Sequence, residues 1–309
     1  MLFHILNFVF QVLIIVLLVR YFVERYRYYG FGPVMVALIT ITERVLKPIK
    51  QVIPRSALTL QDHAPLIAVL IVLVVRGLCL WALQDGSLHP FVAIHAFENN
   101  RSVPLTYAMG ASFALGVKLV AQLLIAFLFA SWMTSRRGIN MTYNGGFACF
   151  QERTFAVFQF AKRYLKTENL TVLFWSSSII ILIGAALLSG IFNLCFMYGA
   201  EVFTKFCVIA LFDMVLGLIF IYWFILLIAI IASWISADQM SVVVQMVRAM
   251  SDPYLDTFRY YLPWARIDFI DLSPIIAFMV LNPGLVYIVT MIQVAILNTF
   301  EVVRTVGSI

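Results

Sequence analysis

Charge is scarce in this chain. Asp, Glu, Lys and Arg together make up 12% of its 309 residues, against about a quarter in soluble domains. With a mean hydropathy of +0.99, that scarcity excludes a soluble globular domain. Cysteine is also sparse, with four residues and no CxxC pair. Cys79 and Cys195 lie in apolar runs, Cys149 in a polar interval and Cys207 near a helix start. This spacing suits neither a disulfide framework nor a metal cage. The four histidines, His4, His63, His89 and His95, contain no HExxH and no i,i+4 pair. His89 and His95, six residues apart, come nearest to a metal or haem pair, and the expected cofactor and metal complement is none. No phosphate-cradling loop or Ser-centred nucleophile motif is present, so the expectation is a protein that is not an enzyme.

Long apolar runs are abundant, and they exceed the eighteen or so residues that mark a membrane helix. A barrel strand would need only about ten residues in alternation. The chain holds 27 Phe, 13 Tyr and 6 Trp, as befits helices with aromatic residues near the lipid interface. Six spans are expected, at Leu2–Phe22, Ala64–Leu83, Tyr107–Met133, Thr171–Tyr198, Phe206–Trp234 and Ser273–Phe300. Leu2–Phe22 is read as a retained span, since it lacks a basic n-region and a small-residue cleavage site. The fold class is thus an all-α membrane protein.

The net charge of +6 does not point to nucleic acid, because its distribution follows the spans. Three long intervals carry six, six and three Lys or Arg, while the opposite side has Arg101, Lys205 and Arg304. That bias places the long intervals on the cytoplasmic face and both termini outside. Membrane lipids are the expected partners of the basic residues.

The chain repeats itself. Val52-Ile53-Pro54 and Tyr261-Leu262-Pro263 stand 209 residues apart, and the same offset pairs Lys50 with Arg259, Asp62 with Asp271 and Pro65 with Pro274. Leu123–Ser135 also echoes Leu226–Ala237. Three two-span units are expected, at 1–100, 101–200 and 201–309. Between spans five and six, Ser241, Gln245, Arg248, Asp252, Asp256 and Arg259 recur at steps of three and four. They form one stripe of an amphipathic helix lying in the interface.

Thr42–Pro54 with Leu60–Pro65, and Ser251–Pro263 with Ile267–Ile276, resemble the repeat of the YggT/YlmG family. That repeat has a span, a DP…P.RR.LP amphipathic segment, an ID.SP turn and a second span. The chain departs from it at Arg44 and Thr257, where the pattern has proline. The resemblance implies a non-enzymatic membrane factor of the bacterial inner membrane. In that family the links are to envelope and division assembly, to osmotic tolerance and potassium uptake, and to cytochrome maturation in chloroplasts. Two functions follow as expectations. One is a scaffold or assembly subunit for membrane-protein partners or for self-association. The other is ion transport during osmotic stress.

Four groups of residues are candidates. Lys47, Lys50, Arg248, Asp252, Asp256 and Arg259 would form interfacial docking surfaces. Pro48 and Pro253 would divide each interfacial segment into two short helices. Arg76, Lys118 and Asp213 lie inside spans, where a charge left in lipid costs several kcal/mol. They are an interhelical ion pair or pathway residues, with Arg76 joining them or snorkelling, while Arg20 snorkels from the end of span one. Asp62, Asp271 and Ser273 suit helix caps ahead of Pro65 and Pro274, or else ligands for an ion or partner. Asn282-Pro283-Gly284 in span six frees backbone groups and kinks or breaks the helix.

Overall fold

The computed structural model describes residues 2–24, 32–52, 63–83, 105–136, 160–196, 203–234, 242–263, 266–267, 270–271 and 273–306. Across them the chain is helical, apart from a two-residue antiparallel ladder and short connecting residues such as 166–169. The principal helices are α1 (Leu2–Glu24), α2 (Gly32–Val52), α3 (Ala64–Leu83), α4 (Leu105–Arg136), α5 (Leu170–Phe196), α6 (Phe203–Trp234) and α7 (Val242–Tyr261). After the ladder β1 (Arg266–Ile267) and β2 (Ile270–Asp271) come α8 (Ser273–Met279) and α9 (Val286–Val306), joined by a wide turn at Val280–Leu285. Five stretches are long and apolar enough to cross a membrane: Ala64–Ala82, Leu105–Arg136, Leu170–Phe192, Phe203–Ile231 and Ser273–Thr299. Within α1 the apolar part is Ile5–Tyr21, which is shorter.

Two compact units emerge. The first holds Met1–Leu123 and Gly184–Cys207, the second Leu124–Ile183 and Val208–Ile309. In the first, Ile14, Leu17 and Leu18 of α1 pack with Leu46 of α2 and with Ala64, Ala68, Val69, Val72 and Leu73 of α3. Lipid gives no hydrophobic drive for helix pairing, so small residues that allow close approach decide where spans meet. A Cβ on Gly116 would sit 2.7 Å from Leu73 Cδ1, and one on Gly190 would run into Cys207 Sγ. Ser112 Oγ donates to the Leu73 carbonyl at 2.5 Å, satisfying a hydroxyl that hydrocarbon cannot.

In the second unit, Ile219, Leu226, Leu255, Ala277 and Leu281 form a core flanked by Tyr222, Trp223, Tyr254 and Phe258. A further cluster joins α4 to α5, where Trp132 stacks on Phe174 at 4.6 Å and 1°. The Arg136 guanidinium lies 5.4 Å from the Trp132 ring centroid, a cation–π contact. Asn169 caps α5, its Oδ1 accepting from the Thr171 amide at 3.0 Å, so one of the free N–H groups at the helix start is satisfied.

The 209-residue offset also holds in space. Six buried positions coincide between the copies: Leu17 with Leu226, Thr42 with Ser251, Leu46 with Leu255, Ala64 with Ser273, Ala68 with Ala277 and Val72 with Leu281. The helix boundaries follow the same register, with α3 starting at Ala64 and α8 at Ser273. Each copy therefore buries the same faces of three helices, α1, α2 and α3 in one and α6, α7 and α8 in the other.

Gly116→Val tests the close approach within the first unit. The added side chain must displace Leu73, and overpacking of this kind costs about 1–3 kcal/mol. A lowered thermal midpoint in lipid discs is the expected outcome, with Gly184→Val, whose Cβ would meet nothing within 4 Å, leaving it nearly unchanged.

Candidate functional site

The helices α2 and α7 are single and uninterrupted. Pro48 lies inside α2 and Pro253 inside α7, so the expected division into paired short helices does not occur. A proline removes one backbone hydrogen bond, and the packing around each helix supplies the difference. Leu46 and Leu255, neighbours of those prolines, are buried against the spans, each contributing about 1.5–3 kcal/mol. Thr257 Oγ1 also donates back to the Pro253 carbonyl at 2.8 Å.

In the first copy a charge locks α2 to α1. Arg20 is only 2% exposed, so it does not snorkel. Its Nη1 donates to the Ile39 carbonyl at 2.9 Å and to Thr42 Oγ1, and Nη2 meets Glu43 Oε2 at 2.5 Å. Thr42 is itself oriented by donating to the Leu38 carbonyl at 2.7 Å. Lys50 Nζ reaches the other Glu43 oxygen at 3.4 Å. A guanidinium presents its donors in a planar fork, and here the fork spans a carbonyl, a hydroxyl and a carboxylate on one turn of α2.

Tyrosine takes over that role in the second copy. Tyr222 of α6 donates to the Met250 carbonyl at 3.1 Å, and Tyr254 of α7 donates to the Ala277 carbonyl of α8 at 2.9 Å. Their rings meet edge to face at 5.7 Å. Burial pushes the Tyr254 phenol above its ordinary value. Trp223 packs on Phe278 at 4.6 Å, adding a second tie between α6 and α8.

Beyond these ties, the faces turned outward differ. On α2, Val36, Ile41, Arg44, Lys47 and Val52 are exposed, and the acidic Glu43 is engaged by Arg20 and Lys50. On α7, Asp256, Tyr260 and Tyr261 are exposed, with Arg259 and Asp256 paired at 3.0 Å. Arg248 and Asp252 are partly buried. Ser241 and Asp62 lie outside the described residues.

The charges within the long apolar helices are Arg76 of α3, Lys118 of α4 and Asp213 of α6. Arg76 is buried, and its Nε donates to Asn7 Oδ1 of α1 at 3.0 Å; it neither snorkels nor joins a carboxylate among the described residues. Lys118 and Asp213 are each partly buried and belong to different units. Ser273 opens α8 and is fully buried, while Asp271 pairs with Arg266 in the ladder. In the first copy His63 stands at the start of α3, its carbonyl accepting from the Leu66 and Ile67 amides at 2.9 and 3.1 Å. Pro65 is therefore the second helical residue, one place later than the sequence suggests.

The apolar stretch Ser273–Thr299 is interrupted. Asn282 takes an extended conformation at φ −140° and ψ 110°, and the Asn282–Pro283 bond is cis. A residue before proline is pushed out of the α region, which explains the site of the break. The helix resumes when the Val286 amide donates to the Pro283 carbonyl. Gly284 is not demanded by space, since its Cβ would lie 3.6 Å from the Met279 carbonyl, an ordinary contact.

The charge lock predicts an asymmetry. Glu43→Gln leaves the Arg20 cation buried without its carboxylate and should cost about 2–4 kcal/mol, less than a fully buried pair because Glu43 is half exposed. Arg20→Met removes the charge itself, fills much of the same space and should cost about 1 kcal/mol. Thermal midpoints in lipid discs rank the two. For Tyr254 the folded state holds the phenol proton more tightly. Its contribution is fully present below the unfolded value of about 10 and fades as pH rises through the folded one. Tyr254→Phe should therefore flatten the alkaline loss of stability in a pH series.

The sequence model of the CCB3/YggT family matches residues 1–83 and 208–292. No curated protein and no solved structure matches. The matched stretches are the two copies that share the 209-residue register, and they cover more than half of the chain, which therefore belongs to the CCB3/YggT family.

Proposed function

We propose that the protein is a non-enzymatic membrane scaffold or assembly subunit, with its interfacial helices as the surfaces that receive other membrane proteins or a second copy. The observation that carries this reading is the fixing of α2 and α7 to the spans while charged and aromatic side chains remain exposed on them. A docking surface held rigid loses little conformational entropy on binding. The finer architecture belongs to the same proposal. It has six spans in three two-span repeats at 1–100, 101–200 and 201–309, both termini outside, the basic intervals cytoplasmic and residence in a bacterial inner membrane. The first span is α1, and the middle repeat is α4 with α5.

Charge reversal at Arg248, Asp252 or Arg259 should release a partner from native lipid discs while the thermal midpoint stays within a few degrees. Mass spectrometry of the co-purified proteins reads the result. Retention of every partner would overturn the scaffold reading.

A second reading, ion transport under osmotic stress, draws on the interrupted helix at Val280–Leu285. Interrupted helices free backbone groups that can line a pathway. On this reading, Asp213→Asn or Lys118→Met changes potassium flux in liposomes without lowering protein yield, and a wild-type protein that moves no ion contradicts it.

A further inference from the structure

Ahead of α5 lies a short amphipathic stretch, in the part of the chain that the family model does not match. Residues 160–165 are helical. At about 100° per residue, Phe160, Tyr164, Ala161 and Leu165 fall on one side, with Lys162 and Arg163 on the other. Ala161 is buried, whereas Phe160, Tyr164 and Leu165 around it remain 52%, 71% and 46% exposed. The Phe160 and Tyr164 rings lie 4.8 Å apart. The apolar side is therefore seated on protein at its middle and open at both edges. The stretch ends at Lys166, whose amide donates to the Lys162 carbonyl at 2.9 Å and whose φ is 49°. Glycine is the usual residue at such a left-handed cap, and a lysine there carries a conformational cost.

Cations gather at this end of α4 and α5. Trp132 Nε1 donates to Thr171 Oγ1 at 3.4 Å, which ties the end of α4 to the start of α5. Arg136, exposed beside the Trp132 ring, therefore lies at the same end as Lys162, Arg163 and Lys166. Among the described residues of 124–183 the only acidic side chain is Glu168, and it pairs with Lys162 at 2.9 Å. Arg163 and Lys166 are exposed, with no carboxylate partner among the described residues. Only residues 166–169 separate the stretch from α5, so Leu165 stays within about 17 Å of Leu170. Both α4 and α5 are long and apolar enough to cross a membrane. A bilayer that they cross has its headgroup layer beside this turn.

We propose that residues 160–166, together with Arg136, form a binding surface for the headgroups of anionic phospholipids. Phe160, Tyr164 and Leu165 enter the leaflet at the boundary between headgroups and acyl chains, where aromatic rings are favoured. Arg163 and Lys166 receive the lipid phosphates through charge-assisted hydrogen bonds. The exposed rings beside the unpaired cations select a lipid over an acidic protein surface, since charge alone would serve the latter. This inference is independent of the scaffold reading.

The test uses the full chain carrying Tyr164→Trp, in vesicles of equal parts phosphatidylcholine and phosphatidylglycerol with one or the other brominated near the top of its acyl chains. The quenching gained over the parent chain reports which lipid lies against position 164. Brominated phosphatidylglycerol should quench this signal more strongly than brominated phosphatidylcholine. Arg163→Gln and Lys166→Gln should each lower that preference by about fivefold, while Arg163→Lys keeps most of it. Equal quenching by the two lipids, or a preference that both glutamine variants leave intact, overturns the proposal. So does quenching by neither lipid, which turns the surface toward an acidic protein partner instead. A preference erased by soluble glycerol phosphate also overturns it, as the mark of a free-phosphate site.

Discussion

A buried guanidinium bonded to a helix that is not itself a span is the interaction on which the first copy depends. Arg20 closes α1 onto α2 through Ile39, Thr42 and Glu43. Once α2 is fixed, Leu46 can fill the space between α1 and α3. An ion pair in such a place gains little net stability over an apolar substitute, because taking the charges from water is costly. Its value is geometric: the fork of Arg20 can be satisfied in one register of α2 only, so the helix is held at one angle and depth. The second copy reaches the same end with two phenol hydroxyls, which give up less solvation and bond backbone carbonyls instead.

This substitution of one device for another shows what the repeat conserves between its halves. Buried apolar positions coincide at a constant offset, whereas the polar ties do not. The helix at the middle of each copy, α2 or α7, is thus a constant of the architecture, and the means of holding it has diverged. The outward faces diverge too, with exposed Lys47 standing where the other copy has exposed Asp256. A chain built from similar units thereby offers chemically different surfaces at equivalent places.

Much of this was legible in the sequence, and for physical reasons. Apolar runs fix where helices long enough to span can lie, and α3 begins and ends at the residues expected, Ala64 and Leu83. The offset between the copies could be read from a few prolines and acidic residues because those sit at turns, which tolerate little change. Arg20 departs from the snorkelling expected of a basic residue at the end of an apolar helix because its acceptors lie 19 to 23 residues along the chain, beyond any local pattern. Arg76 was misread for a similar reason, since its hydrogen-bond partner is the uncharged Asn7. The interfacial prolines misled because local rules weigh the lost hydrogen bond but not the burial of Leu46 and Leu255. What meets the charged stripe is not written in any local pattern, since it depends on the chemistry of whatever lies against the exposed face.

Hydrogen–deuterium exchange of the protein in native lipid discs tests the central claim, that α2 and α7 are fixed parts of the folded core. The account predicts that amides across Gly32–Val52 and Val242–Tyr261 exchange slowly, on the scale of global opening, and that Glu43→Gln speeds exchange in α2 while leaving α7 protected. Exchange of both wild-type helices within seconds would contradict it, since helices that open so readily could not present a fixed surface.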